Sequence, residues 1–203
     1  MEPFVYPIEV AAIVAFAISG ILAADQHEMD FVGVFVAAFV TSFGGGTVRD
    51  LLLDRHPVYW IEHGALSPLI FGICLVSRIP ALRRRLERAP VRIPDAVGLA
   101  VFSVAGTLIA REAGVTAFNA ILLGTVTGTF GGVLRDVICA RVPLLFRAET
   151  LYATCAFAGC LVAIALVHLW PEREPLAFVV GAIVVATLRI LAIRFDWRLK
   201  RAA

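Results

Sequence analysis

Seven apolar stretches, set apart by clusters of charge and proline, constrain the fold of this chain more than any other feature. About 20 apolar residues span a bilayer as a helix, and a short helix needs somewhat fewer. A mean hydropathy of +0.89 and a charged fraction of only 17% are typical of a membrane protein rather than a soluble globule. We therefore predict a single all-α integral membrane domain over residues 1–203. Its predicted spans are Ile8–Ala24, Phe31–Leu53, Ala65–Ser77, Asp95–Ala110, Thr116–Ala140, Glu149–Trp170 and Leu176–Ile193.

The basic residues lie mostly on one side of these spans, which predicts an orientation. Six arginines follow the third span, and short loops rich in basic residues stay in the cytoplasm. Counting from that loop places twelve basic residues in the cytoplasm and three outside, with the N-terminus outside and the C-terminus in the cytoplasm. The net charge is only +2, so no basic face remains for nucleic acid. The six arginines are Arg78, Arg83, Arg84, Arg85, Arg88 and Arg92.

The sequence repeats itself at an offset of 86 residues. The pattern Gly-Gly-x-x-Arg-Asp-x-x-x-x-Arg-x-Pro begins at Gly45 and again at Gly131, and apolar positions on both sides keep the same register. Residues 8–79 and 94–170 form the two predicted copies, and a seventh span at 176–195 lies outside them. Because each copy has three spans, an odd number, the second copy enters the membrane from the opposite face. We therefore predict two inverted three-helix repeats, related by a pseudo-two-fold axis in the membrane plane.

Glycines and hydroxyls cluster in the middle of the second and fifth predicted spans. Each interior glycine costs a helix about 0.5 to 1 kcal/mol relative to alanine, so a kink or an unwound turn is expected at each cluster. Carbonyl groups released there need protein or water around them at membrane depth, which predicts a polar pathway. Alternatively, the glycines only allow neighbouring helices to approach closely. The residues concerned are Thr41, Ser42, Gly44, Gly45 and Gly46 in the second span, and Thr127, Gly128, Gly131 and Gly132 in the fifth.

Each glycine cluster is followed by an arginine and an aspartate, Arg49-Asp50 and Arg135-Asp136. An arginine that faces lipid near mid-bilayer costs at least about 2.5 kcal/mol, so these side chains are expected to face inward. Neighbours on a helix point about 100° apart. We therefore predict that Arg49 pairs with Asp136, and Arg135 with Asp50, across the two-fold axis. The alternative is that these charges lie near the interfaces and only set the helix register.

Other polar residues in the spans have simpler interpretations. Glu9 and Asp95 match in the repeat and lie near span starts, where a carboxylate caps a helix. Arg189 is close enough to Arg194 for its guanidinium to reach the cytoplasmic surface. Nothing in the sequence resembles a nucleophile with its base, a phosphate-binding loop or a metal-ligand spacing, so no enzyme, metal site or cofactor is predicted.

Four cysteines lie within apolar stretches and are expected as buried thiols that pack between helices. They are Cys74, Cys139, Cys155 and Cys160.

Two copies of a three-span unit with these Gly-Gly-x-x-Arg-Asp motifs, followed by a seventh span, resemble a prokaryotic trimeric intracellular cation (TRIC) channel. The same repeat is also described as a glycine-transporter-type domain. The resemblance covers nearly the whole chain. It implies a homotrimer in a prokaryotic plasma or inner membrane, surrounded by membrane lipids, with a pore for K+ and other monovalent cations in each protomer.

The same resemblance implies glycine-kinked second and fifth helices, and it assigns the family's motif charges to Arg49, Asp50, Arg135 and Asp136. The second copy departs from the first, because Phe130 stands where the first has Gly44. The second break is therefore expected to be the narrower one.

Functions of different classes are compatible with these features. A passive channel is favoured by the absence of an obvious coupling-ion site; cations would meet carbonyls and hydroxyls near the glycines, and the arginines would serve as a gate or as struts. A secondary transporter of a small zwitterion such as glycine also fits an inverted repeat with broken helices. A structural membrane protein without transport is the third alternative.

Overall fold

The computed structural model describes residues 5–86, 89–147 and 151–198, and this part of the chain is helical, without a β-strand. Five of its helices are long and apolar enough to cross a membrane, and two further apolar helices are shorter. Short 3₁₀ turns lie at Leu144–Phe146 and Pro171–Arg173. The α-helices of the described residues are α1 Val5–Asp25, α2 Phe31–Leu52, α3 Tyr59–Glu62, α4 Leu66–Ser77, α5 Pro80–Leu86, α6 Arg92–Glu112, α7 Ala117–Ile138, α8 Ala153–Leu169 and α9 Glu174–Arg194.

Each of the seven predicted spans overlaps one of the longer helices, and the short helices α3 and α5 are additional. The third span is the weakest, because the 12 residues of α4 rise only about 18 Å against a hydrocarbon core of about 30 Å. The predicted start of the sixth span, Glu149, lies outside the described residues, as do Arg88, Lys200 and Arg201 of the predicted basic regions. The number of membrane crossings therefore remains a prediction.

Helix α6 forms the centre of the bundle. Nearly all of its side chains from Asp95 to Ala110 are buried, and it packs against α1, α7, α8 and α9. Large apolar side chains on the outside of the bundle, such as Val32, Leu52 and Phe118, are instead exposed. An extensive exposed apolar surface of this kind is typical of contact with a membrane or a partner.

Helices α2 and α7 cross in antiparallel directions with glycine at the contact. A Cβ atom on Gly45 would overlap the carbonyl oxygen of Thr127, and a Cβ atom on Gly131 would overlap that of Thr41. The offset of 86 residues relates Gly45 to Gly131 and Thr41 to Thr127. The contact is therefore reciprocal, which is the pattern that a two-fold axis generates in an interface.

A second contact joins residues that are related by the same offset. The rings of Phe16 in α1 and Phe102 in α6 stack with their centroids 5.4 Å apart. Such self-matched pairs form where a two-fold axis passes between equivalent elements.

Both α2 and α7 continue as helices through their glycine clusters. The unwound turn that the sequence suggested is therefore absent. The physical reason is that Gly45 and Gly131 have no side chain, so the backbones of α2 and α7 approach closely there. This packing stabilises helical structure that the glycines alone would weaken. A bend that keeps the helical hydrogen bonds remains a prediction.

The C-terminal ends of α2 and α7 have the same backbone structure. Asp54 follows α2 in the left-handed region with a φ of 52°, and the N–H of Arg55 donates to the carbonyl oxygen of Asp50 at 2.8 Å. In α7, Ala140 has the same φ of 52°, and an equivalent bond of 2.8 Å joins Arg141 to the helix. This is the Schellman arrangement, which satisfies the last carbonyl groups of a helix. The second half of the repeated sequence pattern therefore encodes a helix end.

Candidate functional site

At the end of α2, the first copy has a buried ion pair between sequence neighbours. Nε and Nη2 of Arg49 donate to Oδ1 of Asp50 at 2.8 and 2.7 Å. Oδ2 of Asp50 accepts the backbone N–H of Tyr59 at 2.9 Å. The aspartate thus holds the segment after α2 against the helix end, and the arginine neutralises its charge.

The Tyr59 side chain extends this first cluster to helix α1. Its hydroxyl donates to Oε2 of Glu9 at 3.2 Å. Burial and the neighbouring Glu9 carboxylate raise the pKa of the Tyr59 phenol, so the hydroxyl stays protonated and remains a donor.

The second copy repeats this ion pair and adds further contacts. Nε and Nη2 of Arg135 donate to Oδ1 of Asp136 at 3.0 and 2.9 Å, and Oδ2 of Asp136 accepts the backbone N–H of Leu144 at 3.0 Å. In addition, Nη1 of Arg135 donates to Oδ1 of Asp95 and to the hydroxyl of Ser19, each at 2.6 Å. The second cluster therefore joins α1, α6 and α7 directly.

These pairs correct the prediction that Arg49 pairs with Asp136 and Arg135 with Asp50. The two arginines lie beyond the crossing of α2 and α7 in opposite directions, about 18 Å apart along the helix axes. An inverted repeat brings its two motifs to opposite ends of the bundle, so the predicted topology itself excluded this pairing. A pair between neighbours forms because the long arginine stem lets the guanidinium fold back onto the adjacent carboxylate.

Two further predictions about charged residues are wrong. Asp95 does not cap α6; it is fully buried in the first turn and pairs with Arg135. Arg189 does not reach the surface; it is fully buried, its Nη1 donates to the carbonyl oxygen of Leu151 at 2.8 Å, and its guanidinium lies 4.7 Å from the centroid of the Tyr152 ring. The interior offers Arg189 an aromatic face and a carbonyl group, which stabilise a buried guanidinium.

Several glycines of the predicted pathway serve helix packing. A Cβ atom on Gly44 would lie 2.6 Å from Cδ1 of Leu134, and one on Gly128 would overlap the hydroxyl of Ser103. Together with the contacts of Gly45 and Gly131, these positions agree with the alternative that small residues allow close approach.

Gly46 and Gly132 are related by the repeat but have opposite surroundings. Among the residues that the structure describes, no side chain and no neighbouring helix comes within 4 Å of the place that a Cβ atom on Gly46 would occupy. At Gly132, the Tyr152 hydroxyl lies 2.7 Å and Oδ1 of Asp95 3.2 Å from the equivalent place. The first copy is therefore open at this position and the second is filled by polar groups; the filling groups come from Tyr152 and Asp95 rather than from Phe130.

A narrow cavity lies beside Gly46. Its volume of about 10 Å³ has room for about one water molecule. It contains a carboxylate and several hydroxyl groups, which are the oxygen ligands that hard cations prefer, and the charge of its arginine is already paired with Asp50. The cavity is lined by Glu9, Ser42, Phe43, Gly46, Thr47, Arg49, Tyr59, Trp60 and Phe102.

A wider, partly open cavity of about 250 Å³ lies at the opposite end, against the second cluster. Its charged lining is mostly basic and includes Arg92, Arg135, Asp136, Arg141 and Arg147. The two cavities therefore lie at the two ends of the α2–α7 pair, on either side of the helix crossing.

The predicted pathway hydroxyls are divided by the structure. Ser42 lines the narrow cavity, and its hydroxyl donates to the carbonyl oxygen of Ile13 at 3.1 Å. The hydroxyls of Thr41 and Thr127 donate to carbonyl groups of their own helices, at the crossing of α2 and α7. Only Ser42 among these three residues lines the narrow cavity.

Sequence reasoning missed the ion pair of Asp95 with Arg135 and the hydrogen bond from Tyr59 to Glu9. It also missed that Thr47 lines the narrow cavity and that the Tyr152 hydroxyl lies beside Gly132. The available signal was that Glu9 and Asp95 occupy equivalent positions of the repeat as carboxylates within apolar stretches. Intramembrane carboxylates usually have a charged partner, and the arginine of the same copy was the nearest choice. The four cysteines are buried and free, as predicted.

Comparison with known proteins relates the whole chain to one family. A sequence model of the family described as glycine transporter matches residues 6–79 and, a second time, residues 92–168. The UPF0126 inner membrane protein YadS of Escherichia coli K12 is 36% identical, over 97% of this chain and 94% of that protein. The UPF0126 membrane protein YvgT of Bacillus subtilis is 31% identical, over 95% of this chain and 93% of that protein.

A solved structure extends this likeness to three dimensions. The TRIC trimeric intracellular cation channel orthologue from Rhodobacter sphaeroides is 31% identical in sequence and superposes with a TM-score of 0.85, over 97% of this chain and 100% of that one.

Proposed function

This chain belongs to the family described as glycine transporter, which includes UPF0126 membrane proteins and prokaryotic TRIC channels, and on that premise we propose that it conducts monovalent cations, K+ among them, across the membrane. The observation that carries this proposal is the likeness in sequence and fold, over nearly the whole chain, to a trimeric cation channel. The pathway runs along α2 and α7, from the cavity beside Gly46 to the basic cavity beside Arg135.

The chemistry of the narrow cavity supports a cation rather than an anion. Glu9 supplies a negative charge, and the hydroxyls of Ser42, Thr47 and Tyr59 supply neutral oxygens. The positive charge of Arg49 is offset by Asp50 at 2.7 Å. A K+ ion is close to a water molecule in size, so it fits a space that holds about one water.

The assembly and its orientation form part of the proposal. The seven longer helices cross the membrane as two inverted repeats and one additional helix, with the N-terminus outside and the C-terminus in the cytoplasm. Three protomers associate through exposed apolar faces, each with its own pathway. Crosslinking in membranes followed by mass measurement is expected to give a trimer as the largest closed species.

Transport of a small zwitterion such as glycine is the alternative. Glu9 and Arg49 carry opposite charges and line the same cavity, as the site of a zwitterion would require. However, Arg49 already forms an ion pair with Asp50. A glycine molecule is also several times larger than the space beside Gly46. The cavity therefore fits a single cation better than an amino acid.

The experiment that tests this proposal is electrical recording from the purified protein in planar lipid bilayers. With unequal KCl concentrations on the two sides, we expect unitary currents whose reversal potential lies toward the K+ equilibrium potential. Empty vesicles from the same preparation serve as the control.

A parallel measurement of labelled glycine uptake into proteoliposomes separates the alternatives. Saturable glycine uptake without unitary currents would replace the channel by a carrier. If correctly folded protein gives neither currents nor glycine uptake, the remaining interpretation is a structural membrane protein without transport.

A further inference from the structure

The buried carboxylates Glu9 and Asp95 are equivalent in the repeat, but only one of them pairs with the arginine of its own copy. Oδ1 of Asp95 lies 2.6 Å from Nη1 of Arg135. Glu9 instead accepts a hydrogen bond from Tyr59 at 3.2 Å, and no ion pair between Glu9 and Arg49 occurs in the part of the chain that the structure describes. Two equivalent sites thus adopt two different states within one molecule.

The space around the two sites differs in the same sense. In the first copy, Glu9 and Arg49 both line the narrow cavity, and Gly46 lines it with its open side. In the second copy the Asp95–Arg135 pair occupies the equivalent place, and the Tyr152 hydroxyl fills the space beside Gly132. The first site is therefore open to a water-sized particle and the second is closed.

Residues that break the repeat account for this difference. Position 152 is tyrosine, whereas the equivalent position of the first copy is Leu66; both are buried. Arg189 belongs to α9, which lies outside the predicted repeats. The Arg189 guanidinium lies over the Tyr152 ring, and Nη1 of Arg189 donates a hydrogen bond to the carbonyl oxygen of Leu151. Helix α9 thus fixes Tyr152 in position against the closed pair.

We infer that the two equivalent carboxylate–arginine sites are gates at opposite ends of one cation pathway, that the Asp95–Arg135 gate is closed in this structure, and that Arg189 is the positioning residue that keeps it closed through Tyr152. This inference rests on the proposed function, because a gate requires a pathway. Arg189 acts through Tyr152 and does not line either cavity described above.

The repeat explains how the closed gate opens. In the first copy, Arg49 keeps its bond to Asp50, while the carboxylate of Glu9 on the preceding helix, α1, forms no ion pair with it in the part of the chain that the structure describes. Arg135 has the same second partner, Asp136, at 2.9 Å. Separation from Asp95 therefore leaves Arg135 paired, so the buried guanidinium is not stranded when the gate opens.

The test is single-channel recording of the Arg189→Gln variant in planar bilayers. We expect the open probability to rise about tenfold, a size typical of coupling between two sites in one protein, while the unitary conductance stays that of the unchanged protein. Arg194→Gln is the matched control, because it removes an exposed arginine from the same helix; its open probability should not change. Arg189→Lys keeps a cation over the Tyr152 ring and should restore low open probability.

A second variant keeps the inference testable if Arg189→Gln does not fold. Tyr152→Leu gives the second copy the residue of the first and removes the ring on which Arg189 rests, so it should also raise the open probability. Unchanged open probability in a folded Arg189→Gln or Tyr152→Leu channel overturns the inference. So does a changed unitary conductance at unchanged open probability, since Arg189 would then act on permeation itself. Absence of currents from the unchanged protein is a separate outcome that contradicts the proposed function.

Discussion

Gly45 and Gly46 are neighbours in the sequence but have different physical roles in the structure. Gly45 touches the backbone of α7, and Gly46 faces the narrow cavity. An alanine methyl group therefore has a different consequence at each of the two positions.

Gly46→Ala should leave the fold intact and reduce K+ flux by about tenfold or more. In the described part of the chain, the methyl group meets no side chain and no neighbouring helix within 4 Å, but it occupies a space that holds about one water molecule. Alanine also favours the helix by about 1 kcal/mol. Flux from proteoliposomes and thermal unfolding in detergent are the measurements. Gly72→Ala is the matched control, because it also adds a methyl group to open space in a helix. An equal loss of flux in both variants would show that the cavity is not part of the pathway.

Gly45→Ala should instead impair folding. Its Cβ atom would overlap the carbonyl oxygen of Thr127, and backbone cannot move away as a flexible side chain can. Lower yield and a lower unfolding temperature than for Gly46→Ala are the expected results. A fully stable Gly45→Ala protein would show that α2 and α7 do not cross at this residue.

The ion pair between Asp95 and Arg135 is expected to couple in a double-mutant cycle. Asp95→Asn alone should destabilise the protein by about 3 kcal/mol, because it removes charge from a buried pair, whereas the same change in an Arg135→Gln background should cost much less. The cycle of Arg49 with Asp136 should be additive within about 0.5 kcal/mol, since these residues do not meet. Thermal or denaturant unfolding in detergent provides the free energies of unfolding. Strong coupling between Arg49 and Asp136 would show that these two residues pair across the two-fold axis after all.

At the scale of the element, the ends of α2 and α7 have a left-handed residue that is not glycine. Ala140 has a φ of 52° after α7, and an L-residue pays roughly 1 to 2 kcal/mol for this conformation. Ala140→Gly should therefore stabilise the protein by about 1 kcal/mol, measured by unfolding. Ala11→Gly, at an exposed position inside α1, is the control and should destabilise by a similar amount. A loss of stability in Ala140→Gly would contradict the helix end described here.

At the scale of the whole molecule, the inverted repeat and the orientation can be tested with one matched pair. Arg55 and Arg141 are equivalent in the repeat and both are exposed. In a background without the four native cysteines, Arg55→Cys should react with an impermeant thiol reagent from outside the cell and Arg141→Cys only from the cytoplasm. Reaction of both from the same side would contradict the inversion, and the reverse pattern would contradict the orientation.

The sequence by itself determined the class of fold and the internal duplication of the chain. In a membrane, the backbone N–H and C=O groups of an apolar stretch of about 20 residues must bond to one another, and a helix satisfies them. The positions of the helices could therefore be predicted almost directly from the sequence. Both copies of the Arg-Asp motif end a helix in the same way, because a Schellman end is a local structure whose bonds lie within a few residues.

Only the tertiary structure decided which charges meet and which glycines are open. Arg135 reaches Asp95 and Ser19, which lie 40 and 116 residues away in the chain, and Arg189 reaches the ring of Tyr152 from a helix outside the predicted repeats. The same Gly-Gly sequence faces a cavity in one copy and a polar cluster in the other, because Tyr152 stands where the first copy has Leu66. Contacts of this kind depend on how helices pack around α6, and packing is set by the shapes of side chains that the linear order of residues does not bring together.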